Sequence, residues 1–127
     1  MFIRTNANIY EVEDKSYQDG KLTAYIIGDM AAIRPDQVIS KEVENVEDLC
    51  DSFCLIVDGE LKYADEELDA IESLAIKYSS DNIQIYGMIW SVSRFGKVKT
   101  KVVVKHTVDE KGYGHYKLLK EGDTIWK

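Results

Sequence analysis

One segment of this chain has the apolar periodicity of an α-helix, and the other apolar segments are short runs typical of β-strands. After Ala64, apolar side chains recur every three or four residues, which places them along one side of a helix. We expect this amphipathic helix to cover residues 66–78, with acidic residues in its first turn and Lys77 in its last. The members of the apolar stripe are Leu68, Ile71, Leu74, Ala75 and Tyr78.

The remaining apolar runs predict a mostly antiparallel β-sheet. Alternating runs on either side of Asn6-Ala7-Asn8 indicate an N-terminal hairpin, because Asn tolerates the backbone of a tight turn. The continuous apolar run at residues 53–57 is typical of a buried strand. Strands joined by Gly-containing turns predict a C-terminal three-stranded meander. Its strands are expected at residues 83–93, 97–108 and 113–119, and one more strand is expected at residues 21–27. The sequence therefore predicts a single α+β domain over residues 1–127.

Ionisable residues are distributed unevenly along this chain. The net charge is −7, yet residues 1–93 carry seven Lys or Arg against 19 Asp or Glu, whereas residues 94–127 carry nine against four. The acidic part is densest over residues 42–72, where 12 Asp or Glu accompany the single Lys62. We therefore expect an acidic body, residues 1–93, and a basic C-terminal meander, residues 94–127, each offering a charged surface to partners.

The dense carboxylates favour a surface that docks on a basic partner protein, because they imitate the phosphates of a nucleic acid. The alternative interpretation is that they only keep the protein soluble. The docking surface is expected to comprise Glu47, Asp48, Asp51, Asp65, Glu66, Glu67 and Asp69.

Four lysines at alternate positions of the predicted strand 97–108, interrupted by Val103, indicate a second, basic surface. Strand alternation places the lysines from Lys97 to Lys105 on one face, about 6.5–7 Å apart, which suits contacts with successive phosphates. The alternative is an edge strand that Lys protects against aggregation. The candidate ligand-binding residues are Arg94, Lys97, Lys99, Lys101, Lys105 and Lys117, with Trp90 as a stacking platform.

The sequence contains no Gly-rich phosphate loop, nucleophile elbow or His-Glu-x-x-His pair. Cys50 and Cys54, together with His106 and His115, have the residue types for a zinc site or a Cys–His pair. Both cysteines lie in an apolar stretch, however, and the carboxylates beside Cys50 disfavour a thiolate. We therefore expect buried cysteines, no metal or cofactor, and no catalytic residue.

Three features predict where the protein acts. No apolar run approaches the ~20 residues that cross a membrane, and the first residues lack the basic-then-apolar order of a secretion signal. Two cysteines in 127 residues are typical of a reduced cytosolic protein. We expect a cytoplasmic protein without a membrane partner.

Three short parts of the chain carry a resemblance to known proteins, and none of them is a catalytic motif. They are Phe2-Ile3-Arg4-Thr5 with Ile9-Tyr10-Glu11-Val12, then Val46-Glu47-Asp48-Leu49-Cys50-Asp51 with Phe53, and finally Ile85-Tyr86-Gly87-Met88-Ile89-Trp90 with Tyr116-Lys117-Leu118-Leu119. These 25 of the 127 residues resemble small uncharacterised proteins encoded by phages and prophages of low-GC Gram-positive bacteria.

The resemblance implies a biological context, although it transfers no functional residue. Small phage proteins of this kind act in the host cytoplasm and are more often binders than enzymes. The leading hypothesis is a non-enzymatic inhibitor of a host antiviral defence system that docks on a basic host or phage protein through its acidic surface. Alternatives that stay open are a binder of a nucleotide or nucleic acid that uses the Lys-rich strand, a homodimer, and a virion or scaffold component.

Overall fold

The computed structural model describes residues 1–120. Residues 121–127 of the predicted basic meander lie outside this range. The described chain is mostly antiparallel β-structure, as the strand-like runs predict. In chain order its elements are β1 (Phe2–Arg4), β2 (Ile9–Glu11), β3 (Asp14–Gln18), β4 (Lys21–Gly28), β5 (Ala31–Ile33), β6 (Ser52–Val57), β7 (Glu60–Asp65), α1 (Leu68–Ala75), β8 (Ile83–Val92), β9 (Val98–Val108) and β10 (Gly114–Leu118).

Five strands form the main sheet, in the order β10-β9-β8-β6-β7. The predicted apolar strand is confirmed as β6, in which all six residues are buried. The predicted C-terminal meander is confirmed as β8, β9 and β10, whose neighbours are antiparallel. The predicted N-terminal hairpin is confirmed as β1 and β2.

One face of the main sheet is covered by α1 and by a 3₁₀ turn at Val46–Leu49. Helix α1 packs on β6 and β7 and places the fully buried Ile71 against the sheet. The 3₁₀ turn buries Val46 and Leu49 beside β10. Tyr116 of β10 contacts the apolar clusters beneath both covering segments. The two segments therefore form one outer layer over this face.

The opposite face carries a second buried cluster. Cys54 and Ile56 alternate with the residues of β6 that face α1, because successive side chains of a strand point to opposite faces. They pack with Tyr86, which is fully buried, and with Met88. Strand β6 therefore contributes to the core on both of its faces.

Three features of the secondary structure differ from the sequence-based expectation. Residues Asp14–Gln18, whose polar sequence does not indicate a strand, form β3, which pairs with β4 in a separate three-stranded sheet of order β3-β4-β5. Strand β7 was also missed, because its residues are mostly exposed and lack the alternation of a half-buried strand. Helix α1 covers Leu68–Ala75, shorter than the expected 66–78. Asp65 lies in β7, where its side chain accepts a hydrogen bond from the Glu67 N–H.

A bidentate ion pair joins the N-terminal hairpin to the main sheet. The Arg4 guanidinium donates to both carboxylate oxygens of Asp51, over 2.8 and 2.7 Å. The guanidinium also donates to the carbonyl oxygens of Leu49 and Trp90, and the Asp51 carboxylate accepts the Trp90 N–H. The two side chains are only 12% and 24% exposed. This network holds β1, the end of the 3₁₀ turn and β8 together.

Removing the charge of Asp51 should destabilise the fold. Asp51→Asn should lower the free energy of unfolding at pH 7 by about 2–4 kcal/mol, because Arg4 would keep its charge in a largely buried setting without a carboxylate. Urea denaturation measures this change. Asp48→Asn is the matched control, because Asp48 is exposed in the same segment; it should change stability by less than about 0.5 kcal/mol.

The stabilisation by Asp51 should also depend on pH. Burial raises the pKa of the Asp51 carboxyl, but hydrogen bonds from Arg4 and from the Trp90 N–H outweigh burial and lower it overall. Such a group stabilises the fold above its unfolded pKa of about 3.9, and this contribution is lost as pH falls through the lower folded value. The gap between wild type and Asp51→Asn should therefore be full at pH 7 and shrink below about pH 4. A gap no larger than that of Asp48→Asn at pH 7 would contradict the role of the pair.

Gly87 provides a second test of the packing. A Cβ atom at this position of β8 would lie 2.6 Å from Cys50 Sγ and 3.1 Å from Val104 Cβ. Gly87→Ala should therefore destabilise the fold by about 1–3 kcal/mol, as overpacked cores do. Gly28→Ala, where no atom lies within 4 Å, should stay within about 1 kcal/mol of wild type. Equal thermal melting of the two variants would show that β8 does not pack closely on Cys50.

Candidate functional site

Six carboxylates lie on the outer layer formed by the 3₁₀ turn and α1, and we call them the acidic layer. Two come from the turn, two precede the helix and two lie within it, three residues apart and therefore on neighbouring turns of one face. None of the six forms an ion pair with a Lys or Arg within residues 1–120. The acidic layer consists of Glu47, Asp48, Glu66, Glu67, Asp69 and Glu72.

Glu47 and Glu72 join the two parts of the acidic layer. Burial raises the pKa of the Glu47 carboxyl, and the nearby charges of Asp48 and Glu72 raise it further. Tyr116 Oη donates a hydrogen bond of 2.9 Å to Glu72 Oε1. Burial, this hydrogen bond and the charges of Glu72 and Glu47 raise the Tyr116 pKa. The turn and the helix, which are distant in sequence, therefore present a continuous negative surface.

A shallow depression borders the acidic layer beside β10. Its volume is about 320 Å³, and it lies between the 3₁₀ turn and the start of β10. Glu44 and Glu47 line it together with His115 and Tyr116. Because carboxylates and a phenol surround it, the depression offers room and hydrogen-bond acceptors to a basic side chain of a partner.

Two residues of the predicted docking surface are used inside the protein. Asp51 accepts hydrogen bonds from Arg4 and Trp90, as described above. The Asp65 carboxylate accepts hydrogen bonds from the Tyr63 hydroxyl and the Glu67 N–H. Asp51 is neutralised by its ion pair with Arg4, and Asp65 lies in β7 rather than in the turn or the helix, so we leave both out of the acidic layer. Glu72 was not singled out from the sequence, although its position three residues after Asp69 would place it on the same helix face.

The predicted row of lysines on one face of β9 is wrong, because β9 contains a β-bulge. Gly87 pairs with Val104 but Met88 pairs with Val102, which leaves Val103 without a partner on β8. Val103 and Val104 are consequently both buried in the same cluster. A bulge reverses the alternation beyond it, so side chains on its two sides face oppositely.

The bulge divides the candidate basic residues between the two faces of the sheet. Lys99 and Lys101 share the face of the acidic layer, since Lys101 pairs with Ile89 of its core. Lys105 lies on the other face, with its Nζ atom 5.9 Å from the Tyr86 ring centroid. Lys117 pairs directly with Lys105. Trp90 shares the face of Lys105, while Arg94 and Lys97 lie in the turn between β8 and β9.

The two thiols differ from the two histidines in their surroundings: burial raises the thiol pKa values, whereas each imidazole contacts another side chain. Burial raises the pKa of the Cys50 thiol to about 12 and that of the Cys54 thiol to about 11. His106 packs edge-on against Tyr116, with 5.0 Å between ring centroids, and His115 Nε2 lies 2.9 Å from Asp109 Oδ2. Within residues 1–120, no three His, Cys, Asp or Glu side chains converge as metal ligands do.

Comparisons with known proteins identify no relative of this chain. No family model matches it, and no curated protein and no solved structure shows significant similarity to it. Among the described residues, no helix has the length and apolar character needed to cross a membrane.

Both thiols should react slowly in the folded protein. At pH 8 an aromatic disulfide reagent should label Cys50 and Cys54 at least about 100-fold more slowly in the folded protein than in urea, because thiols with raised pKa values form little thiolate. Ser73→Cys, at an exposed position of α1, should react at an ordinary rate in the folded protein. Rapid labelling of Cys50 in the folded wild type would instead identify an activated thiol.

Proposed function

We propose that this protein is a non-enzymatic binding protein that docks on a basic surface of another protein through its acidic layer. The observation that carries the proposal is the continuous group of six carboxylates, contributed by two separate segments and without Lys or Arg partners in residues 1–120. Clustered like charges repel one another, and the raised pKa of Glu47 reports this repulsion together with burial. A cationic partner would relieve the repulsion on binding.

Charge complementarity would also set the kinetics of docking. A surface of one sign accelerates encounter with a surface of the opposite sign, and the acceleration weakens as salt screens it. Charged pairs across an interface select the partner and fix its orientation. Docking through the acidic layer is therefore expected to be fast and sensitive to salt.

We further propose a phage-encoded protein that acts in the cytoplasm of its bacterial host and inhibits an antiviral defence protein. The resemblance to small phage and prophage proteins supports this context. The density of carboxylates on the acidic layer supports the mode of inhibition, because such a surface imitates nucleic-acid phosphates and fits a groove that binds nucleic acid. In this proposal the protein occupies the groove in place of the nucleic acid.

Charge reversal tests the proposal. The triple variant Glu66→Lys, Glu67→Lys and Asp69→Lys should weaken binding to the captured partner by at least about 100-fold, because like charges would then face each other in the interface. The partner would be captured from infected host cells with the wild-type protein, and its affinity measured by calorimetry at two salt concentrations.

A matched variant separates local docking from net charge. Glu11→Lys, Glu13→Lys and Asp29→Lys make the same change of charge at exposed positions outside the acidic layer. This control should retain binding within about threefold, since distant exposed charges are screened. Equal losses in both triple variants, or no loss in either, would exclude the acidic layer as the docking site.

A further inference from the structure

The β8–β9 hairpin extends beyond the rest of the main sheet. Strand β6 pairs with β8 from Ile83 to Met88, and β10 pairs with β9 from Val104 to Val108. In the described part of the chain, residues 91–101 pair only within the β8–β9 hairpin, and residues 92–101 are all exposed. We call residues 91–101 the ribbon. It is a two-stranded arm that projects from the edge of the fold.

The ribbon carries positive charge without compensation. Arg94, Lys97, Lys99 and Lys101 are its four cations, and the sequence contains no Asp or Glu from residue 82 to residue 108. None of the four cations forms an ion pair within the described range. The ribbon is therefore a concentrated cationic surface on a protein whose net charge is −7.

The two faces of the ribbon differ in chemistry. Lys99 pairs with Ser91 on one face, and Lys101 follows on the same face at a distance of about 6.5–7 Å. Trp90, at the base of the ribbon, together with Val92 and Val98, makes the other face apolar. These three side chains are 41%, 58% and 66% exposed.

The tip of the ribbon is a hydrogen-bonded turn that exposes an aromatic ring. Ser93 Oγ accepts hydrogen bonds from the N–H groups of Phe95 and Lys97, and Gly96 adopts the positive φ of 78° that closes the turn. The Phe95 ring is 79% exposed, and the Arg94 guanidinium lies 5.2 Å from its centroid. The tip therefore places a π-face and a cation side by side before any ligand binds.

Protection of a sheet edge does not account for this combination. Lysines on the uncovered part of β9 would discourage pairing with another chain. Edge protection gives no reason, however, to expose Trp90 and Phe95 on the same arm, because exposed apolar area promotes association. A ligand that offers both negative charge and flat aromatic surfaces satisfies both features of the ribbon.

We propose that the ribbon binds single-stranded nucleic acid. Its cations would contact backbone phosphates, and the rings of Phe95 and Trp90 would stack on unpaired bases, as in proteins that bind single strands without sequence preference. A duplex keeps its bases stacked inside and leaves these rings without partners. This binding is independent of the acidic layer, so either proposal can fail without the other.

Fluorescence anisotropy of the full chain tests the ribbon. The probes are labelled oligothymidylate and oligouridylate of about 12 nucleotides, to compare DNA with RNA, and a duplex of equal length. Both single strands should bind more tightly than the duplex. Because four cations contact phosphates, the plot of log affinity against log salt should have a slope of about −2.8.

Two variants of the ribbon should each remove a defined part of the binding. Lys99→Gln with Lys101→Gln should reduce the slope to about −1.4, since two phosphate contacts are lost. Phe95→Ala should weaken binding by about fivefold or more without changing the slope, since it removes base stacking.

Matched controls and four possible outcomes decide the proposal. Lys21→Gln with Lys41→Gln, and Tyr113→Ala in the exposed β9–β10 turn, should bind like wild type. No binding at about 20 mM salt, or equal binding by all variants, would overturn the proposal. Preference for the duplex would overturn it as well. Self-association through the ribbon at low salt that oligonucleotides do not reverse would assign the ribbon to a second copy of this chain and also overturn it.

Discussion

The ion pair of Arg4 and Asp51 is the interaction on which the rest of the structure depends. It fixes the N-terminal hairpin to the end of the 3₁₀ turn and to both backbone groups of Trp90. Two of the six carboxylates of the acidic layer lie in that turn, and the ribbon projects from β8 just beyond Trp90. The pair therefore ties the turn that carries Glu47 and Asp48 to the base of the ribbon. The six carboxylates of the acidic layer form no ion pair with Lys or Arg within residues 1–120.

Segments with strong apolar patterns could be predicted from the sequence, and segments stabilised by neighbours could not. Strand β6 and the C-terminal meander contain continuous or β-branched apolar runs, and their positions were correct within about two residues. Strands β3 and β7 are polar and exposed, so their strand conformation comes from pairing with β4 and β6 and leaves no periodic signal. Helix α1 was predicted correctly in kind but not in length, because helix ends are weakly specified.

The candidate surfaces were predicted in composition but not in geometry. Sequence charge identified an acidic and a basic region, yet it could not show that Asp51 pairs with Arg4, 47 residues away. Strand alternation placed Lys99 and Lys105 on one face, because a bulge at Val103 has no marker in a run of three valines. One residue without a partner on β8 therefore leaves Lys99 and Lys101 on one face of the sheet and places Lys105 and Lys117 on the other.

The fold presents two oppositely charged surfaces on one sheet, and we propose that they bind different partners. Backbone amide resonances in two NMR titrations of the native chain test this claim most directly, one titration with oligothymidylate and one with a short oligolysine peptide. The account predicts that the oligonucleotide shifts the resonances of residues 91–101, and that the peptide shifts those of residues 44–48 and 65–72. Shifts at the same residues in both titrations, or shifts in neither, would contradict it.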